Sequence, residues 1–299
     1  MSDFIEYNKT TMQKKQFILK FTLCISSLLW CTVLSAQPLH HTNQDLPCIN
    51  KNYNLLAHVA VDSSGRTPIY SEDQLDSMII KLNDFFSPIC VSFTLCEFNI
   101  LENDYSLGRV VDQPITKEDQ LLELKTRFAL RRRINIFFLD YIISEDCGLS
   151  VFEGILTTND AIIHTEKDCR DDISEQVAHH LGHTFGLLNT YDPESIELVN
   201  GSNCTTTGDL ICDTPADPFG QSIANATQEE MDLIAQGLLV TRFSNPDCEF
   251  IYEIKDPNGE YYQPDMGNIM SAYDCKCGFT QDQYQKMAET ILKSNIRHF

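Results

Sequence analysis

The stretch AHHLGHTFGLLN, Ala178–Asn189, carries the two histidines on which the reading of this chain turns. His179 and His183 stand four apart, so on a helix they lie one turn from each other on one face, where two imidazoles can grip a single ion. Val177, Leu181, Thr184 and Leu188 fall in a narrow stripe on nearly the opposite face, the side expected to pack on a core. Gly186 comes three residues after His183. Glycine ends a helix or turns it sharply, and a turn there would swing Asn189 back toward the histidines. A plainer alternative stays open at this point: HxxxH spacing is common, and surface or capping histidines on an acidic protein would read the same way.

Upstream, Lys14, Lys15 and Lys20 precede the apolar run FTLCISSLLWCTVL, which ends in Ser35 and Ala36. Basic, apolar and small-residue regions in that order form a secretory leader with cleavage after Ala36, and the apolar run is too short for a membrane span. The basic region begins directly after Met12, which allows a start at that methionine, and no lipid-attachment motif surrounds Cys24 or Cys31. Without residues 1–36 the balance is 18 basic against 41 acidic residues, a net charge of −23. So acidic a surface repels phosphates, which excludes nucleic acid and insertion at an anionic membrane; it suits an exported monomer, secreted or periplasmic, that holds calcium on carboxylates. Ten of the 12 cysteines lie beyond the leader, an even number that reads as disulfides. Cys204, Cys212, Cys248 and one of Cys275 and Cys277 are expected to tie the C-terminal part, with Cys90, Cys96, Cys147 and Cys169 serving the rest.

Apolar periodicity places a buried strand at 54–61, a helix at 71–86 with Ser71 and Gln74 as capping box, and a half-buried strand at 90–101. A helix at 116–130 and strands at 134–142 and 160–164 follow. The alternation implies an α/β (α+β) fold with a mixed, partly parallel sheet covered by helices. Beyond Asn189 the chain is rich in Asp, Asn, Thr, Pro and Gly, with helices only at 227–239 and from Thr280, boxed by Gln283, to about residue 294.

VAHHLGHTFGLLNTY (177–191) resembles the zinc helix of the metzincins, HExxHxxGxxH, and within them that of the pappalysin family, which reads roughly LAHEIGHYLGLLHTF. NCTTTGDLICDTPADP (203–218) is similar to that family's Gly-Asp…Asp-Thr-Pro-Ala segment, YYQPDMGNIMSAY (261–273) to the approach to its Met-turn, and CGFTQDQYQKM (277–287) to the helix after it. The opening stretch from Leu55 to Phe86 is also similar to the family's first strand and helix, so the resemblance covers most of residues 50–293.

The resemblance implies a metzincin-like fold. Residues 1–36 would be the signal peptide and 37–49 a linker. An upper subdomain, 50–189, would end in the zinc helix, its twisted mixed sheet carrying helices above the cleft. An irregular, disulfide-bonded lower subdomain, 190–299, would carry the Met-turn at Met270 under the metal. In such metallopeptidases three histidines hold zinc, a glutamate beside the first acts as general base, and the peptide lies along an edge strand, here the 150s. His179 and His183 match the first two ligands. His180 occupies the general-base position and Asn189 the third-ligand position, while Tyr273 stands one residue past the place of the family's tyrosine, where this chain has Ala272. An amide is a poor zinc donor beside imidazole, and His180 has a suitable pKa but a wheel position that flanks the ligand face. By the same resemblance Asp209, the Cys212 carbonyl and Thr214 would hold calcium, or else the acids cap turns in a disulfide-held loop. The resulting expectation is a pseudopeptidase that binds peptides or proteins; the alternative is an active zinc-dependent metalloendopeptidase with an unusual ligand set.

Overall fold

The computed structural model describes residues 45–61, 66–101, 126–130, 133–139, 155–157, 160–166, 172–220, 248–273 and 275–293. The leader, the helix at 227–239, most of the helix expected at 116–130, the end of the strand expected at 134–142, and Cys147 and Cys169 lie outside these residues. Contacts group Asp45–Phe299 as one unit.

The first strand, β1 (Lys51–Ala60), is buried along most of its length, because it runs through the sheet with a neighbour on each side. Helix α1 (Glu72–Phe86) follows. Its start is fixed locally: the Gln74 amide donates to Ser71 Oγ at 3.3 Å, and the Ser71 amide donates to Gln74 Oε1 at 2.9 Å. Leu75, Met78, Ile79, Leu82 and Phe86 recur at helical spacing and face the sheet; each such side chain fully buried contributes about 1.5–3 kcal/mol. A 3-10 turn, Ser87–Ile89, leads through Cys90 in the left-handed region (φ 53°) into β2 (Val91–Leu101). A disulfide from Cys48 to Cys90 ties the entries of β1 and β2 together.

β1 and β2 run parallel with one slip. Leu55 pairs with Leu95 but Leu56 with Glu97, so Cys96 is an extra, bulged residue. Strands β3 (Ile134–Leu139), β4 (Ile155–Thr157) and β5 (Asp160–Glu166) complete a five-stranded sheet in the order β2-β1-β3-β5-β4. Neighbours are parallel except at β4, an edge strand antiparallel to β5. The fold is therefore mixed α/β. Two further helices are α2 (Ile173–Thr184), which carries the histidines, and α3 (Gln281–Lys293). At the entry to α3 the Gln283 amide donates to Thr280 Oγ1 at 3.3 Å and the Thr280 amide to Gln283 Oε1 at 3.0 Å.

An aromatic cluster fills the space between sheet and helices. Phe86 packs on Phe93, Phe185 and Phe279 with ring centroids 5.2, 5.8 and 5.4 Å apart, joining α1, β2, the end of α2 and the approach to α3. On the other face of the sheet His58 stacks on Phe137 at 4.6 Å and its Nε2 meets Asn135 Oδ1 at 3.2 Å.

The chain between α2 and α3 is irregular where described. Disulfides Cys204–Cys212 and Cys248–Cys275 hold it, as the cysteine placement leads one to expect. Three details correct the sequence reading. Cys90 pairs with Cys48, brought beside it by the parallel start of β1 and β2. Cys96 is an exposed free thiol, whereas Cys277, also free, is the one of the Cys275/Cys277 pair left unbridged as expected. Leu188 is 48% exposed, since the chain leaves the helix at Phe185 and the stripe is broken before reaching it. Among the described residues no helix is long and apolar enough to cross a membrane.

Candidate metal centre

Helix α2 is anchored at both ends. Asp172 caps its N-terminus, accepting the Ser174 amide at 2.8 Å, and pairs with Lys81 of α1 at 2.7 Å. At the C-terminus Gly186 takes φ +92°. Its amide donates to the His183 carbonyl at 2.9 Å and the Leu187 amide to the Gly182 carbonyl at 3.0 Å. This Schellman closure folds the chain back over the last turn. It also delivers the Leu187 carbonyl to the His183 ring, whose Nδ1–H donates to it at 2.9 Å.

The opposite wall comes from the segment before α3. His179 Nδ1–H donates to the Ile269 carbonyl at 2.8 Å. A carbonyl only accepts, so in both rings Nδ1 carries the hydrogen that is donated. The two Nε2 atoms face each other at 3.1 Å, the rings nearly perpendicular at 87°. Two lone pairs at that separation repel unless a positive charge sits between or beside them. The arrangement is the one found for metal-binding imidazoles, with each second ring nitrogen tied to a backbone oxygen. Burial first, then Lys276 and the adjacent His183 and His180, hold the His179 imidazole well below the usual histidine range, so its lone pair is free at neutral pH.

Met270 lies directly against this helix. A Cβ on Gly182 would stand 2.5 Å from Met270 Sδ and 3.4 Å from Phe279 Cε1, so only glycine allows the approach. The turn that presents Met270 is set by Asn268, whose Oδ1 accepts the Met270 amide at 2.8 Å and whose side-chain amide donates to Gln283 at 3.0 Å. The Thr190 amide donates to the Met270 carbonyl at 3.1 Å, tying the strand of chain after Gly186 to the same turn.

The remaining site residues lie in other settings. His180 is buried, 7% exposed, and meets His179 edge to face at 5.6 Å. Asn189 lies between Leu187, which touches His183, and Thr190, which touches Met270; its Oδ1 is buried with no hydrogen-bond partner. An orphaned buried carbonyl costs about 1–3 kcal/mol. Tyr273 is fully buried, and its hydroxyl donates to Asp217 Oδ1 at 2.7 Å. Burial and the Asp217 charge push its pKa upward. Asp192 accepts the Glu194 amide at 2.9 Å and the Ser195 hydroxyl. Among the described residues no three of His, Cys, Asp and Glu converge to hold a metal ion. The donors that the structure brings together are the two imidazole nitrogens. That set fits a divalent transition ion but not a three-histidine zinc site.

The expected calcium loop is already partly occupied. Asp209 accepts the Ile211 amide at 3.0 Å and Gln283 Nε2 at 3.2 Å and is also met by the Thr214 side chain, and Cys212 is bridged to Cys204. Burial raises Asp209 to about 6. Glu197, not singled out by any motif, is 4% exposed with its carboxylate against Gly208. Burial, with Asp209 and Asp217 adding repulsion, raises it to about 8. Its apolar neighbours Ile196 and Leu198 are the only local signal that it turns inward.

No protein-family model matches the chain. Among solved structures it is similar to metalloproteinase-II from Bacteroides fragilis at 10% sequence identity and a TM-score of 0.28, over 60% of this chain and 53% of that one. The chain thus spans about half the length of the structure it matches, and a superposition that loose carries no argument about chemistry.

Proposed function

We propose that the chain is an exported, pappalysin-like pseudopeptidase, which binds a peptide or protein at the histidine helix without cutting it. One observation carries this reading: the residue at the general-base position, His180, is buried edge-on to His179, away from the surface where a water or substrate would be met. A positioned acid–base group contributes about 10²–10⁴-fold to such hydrolysis, and its loss together with that of the third histidine ligand removes most of the catalytic advantage. A metal held by His179 and His183 would supply Lewis acidity at the site. The residues themselves hold the two imidazoles by the Ile269 and Leu187 carbonyls and seat the Met270 turn, read here as the Met-turn, beneath them. The bound chain would add as a strand at β4, the sheet edge, where unpaired backbone groups are offered. The leader and the three disulfides support an extracytoplasmic location. Calcium at Asp209, the Cys212 carbonyl and Thr214 belongs to the same reading, and the buried Glu197 carboxyl, with Asp209 among the groups that raise it, would add an oxygen donor there.

The test is restoration. Purified protein should leave a generic peptide library intact, while His180→Glu with Asn189→His should gain zinc affinity and measurable cleavage, each single change giving less because base and ligand act as a unit. Robust cleavage by the unmodified protein, lost on chelation and in His183→Ala, would overturn the reading. It would favour the second one, a zinc endopeptidase with an unusual ligand set, which rests on the paired Nε2 atoms.

A further inference from the structure

We infer that the hairpin at 251–263 is a docking surface for another protein, and that the partner it fits is an extended, cationic segment carrying apolar side chains. The surface shares no residue with the histidine helix or with β4, so the inference stands apart from the peptide reading above.

The backbone defines the ribbon. Lys255 and Tyr261 form an antiparallel bridge, the Tyr262 amide donates to the Ile254 carbonyl at 2.9 Å, and the Asp256 amide donates to the Glu260 carbonyl at 2.8 Å. Asp-Pro-Asn-Gly, 256–259, makes the turn, with Gly259 at φ +85°. Side chains alternate between two faces. Tyr262 and Asp256 face inward and are buried. The Tyr262 hydroxyl donates to the Glu197 carbonyl at 2.9 Å, and the Asp256 carboxylate accepts the Val199 amide at 3.1 Å. Asp256 also holds its own turn, accepting the Asn258 and Glu260 amides at 2.8 and 2.9 Å. The Cys248–Cys275 disulfide ties down the approach to the ribbon. The outer side carries what a solvated ribbon does not need. Tyr261 is 47% exposed there, with the Lys255 ammonium 4.4 Å from its ring centroid, and Ile251, 52% exposed, and Tyr252 are presented just before. Scattered exposed apolar residues are ordinary, whereas these three gather on one anchored ribbon. Tyrosine is favoured where partners meet, and a base already fixed loses little conformational freedom when a partner arrives. Charge selects that partner. Glu253 and Glu260 are exposed on the same ribbon, and the chain as a whole carries −21. An acidic rim around an apolar and aromatic centre steers a cationic segment in and rejects an acidic one. A second copy of this chain, equally acidic, is opposed by the same repulsion.

Full-length protein should be titrated into a fluorescently labelled peptide of alternating leucine and lysine, followed by anisotropy at several salt concentrations, with an alternating leucine and glutamate peptide as counterpart. Saturable binding of the lysine peptide and none of the glutamate peptide is expected. Ile251→Ser with Tyr261→Ser should weaken binding about tenfold or more. Glu253→Lys with Glu260→Lys should weaken it comparably and flatten its salt dependence. Asp76→Lys with Asp84→Lys, the same charge change on the exposed side of α1, should alter binding less than about twofold, because salt screens distant charges. Failure of the parent to bind the lysine peptide would overturn the inference, and so would hairpin variants that bind as the parent does. An Asp76 and Asp84 variant that loses as much as the Glu253 and Glu260 variant would also overturn it, since net charge alone would then be at work. Self-association of the parent that the Ile251 and Tyr261 variant abolishes would overturn it by assigning the surface to a second copy. Melting temperatures check that each variant is folded, and the two hairpin variants change different groups, so either decides if the other is unstable.

Discussion

The sheet half of the molecule and the segment after α2 solve the same problem by opposite means. Around β1 and α1 the interior is aliphatic and aromatic, with Leu55, Leu75, Leu82, Phe86, Phe93 and Ile136 all buried. After α2 the buried set includes Glu197, Asp209, Asp217, Asp256, Asn268 and Gln283, and two disulfides cross it. Apolar burial is non-directional and independent of proton concentration. Buried carboxylates must each be matched by donors or neutralised. The first half should therefore be robust and insensitive to conditions, and the second should respond to pH, cations and redox state.

The largest expected effect tests whether the halves share a core. Phe86→Ala removes the ring that touches Phe93, Phe185 and Phe279 and should cost about 3–5 kcal/mol in urea unfolding. A loss under about 1 kcal/mol would mean that the cluster does not join them. Next come the bridges. Replacing Cys248 and Cys275 by serine should cost about 2–4 kcal/mol, and more than the same change at Cys48 and Cys90 if the irregular segment depends on its cross-links. Equal costs would erase the contrast.

The third effect is a pH dependence. Glu197 is raised to about 8 and Asp209 to about 6, both above their unfolded values. An acid with a raised folded pKa binds its proton more tightly when folded. Its penalty is absent below the unfolded pKa and complete above the folded one. Stability should thus fall as pH rises from about 4 to about 8, seen as a falling melting temperature. Glu197→Gln should flatten the curve, and millimolar calcium should restore stability at pH 8 far more than at pH 5. A melting temperature that climbs over this range, or ignores calcium, would refute the assignment of the buried pair.

What could be read from the sequence was governed by local physics. The capping boxes at Ser71 and Thr280 and the turn at Gly186 each depend on residues within a few positions, and so does the pairing of His179 with His183. The illegible features depend on neighbours distant in the chain. Cys90 meets Cys48 across 42 positions because two strands start side by side. Tyr273 turns inward because Asp217, 56 residues earlier, awaits its hydroxyl. Glu197 is buried against Gly208 and Tyr262 by a loop with no periodicity.

The slip at Cys96 has a consequence for how β2 would tolerate changes of length. Its apolar residues Phe93, Leu95, Phe98 and Ile100 are spaced two, three, two. Phe93, Phe98 and Ile100 pair with Tyr53, Ala57 and Val59, all on the face that packs against the helices. Without the bulge the extra residue would shift the frame, sending Glu97 and Asn99 to that face and Phe98 and Ile100 to the other. Cys96 thus behaves as a spacer letter that the fold skips when it reads the strand. Deleting it would leave every remaining side chain on the face it already occupies, so this strand can lose a residue without changing what it says.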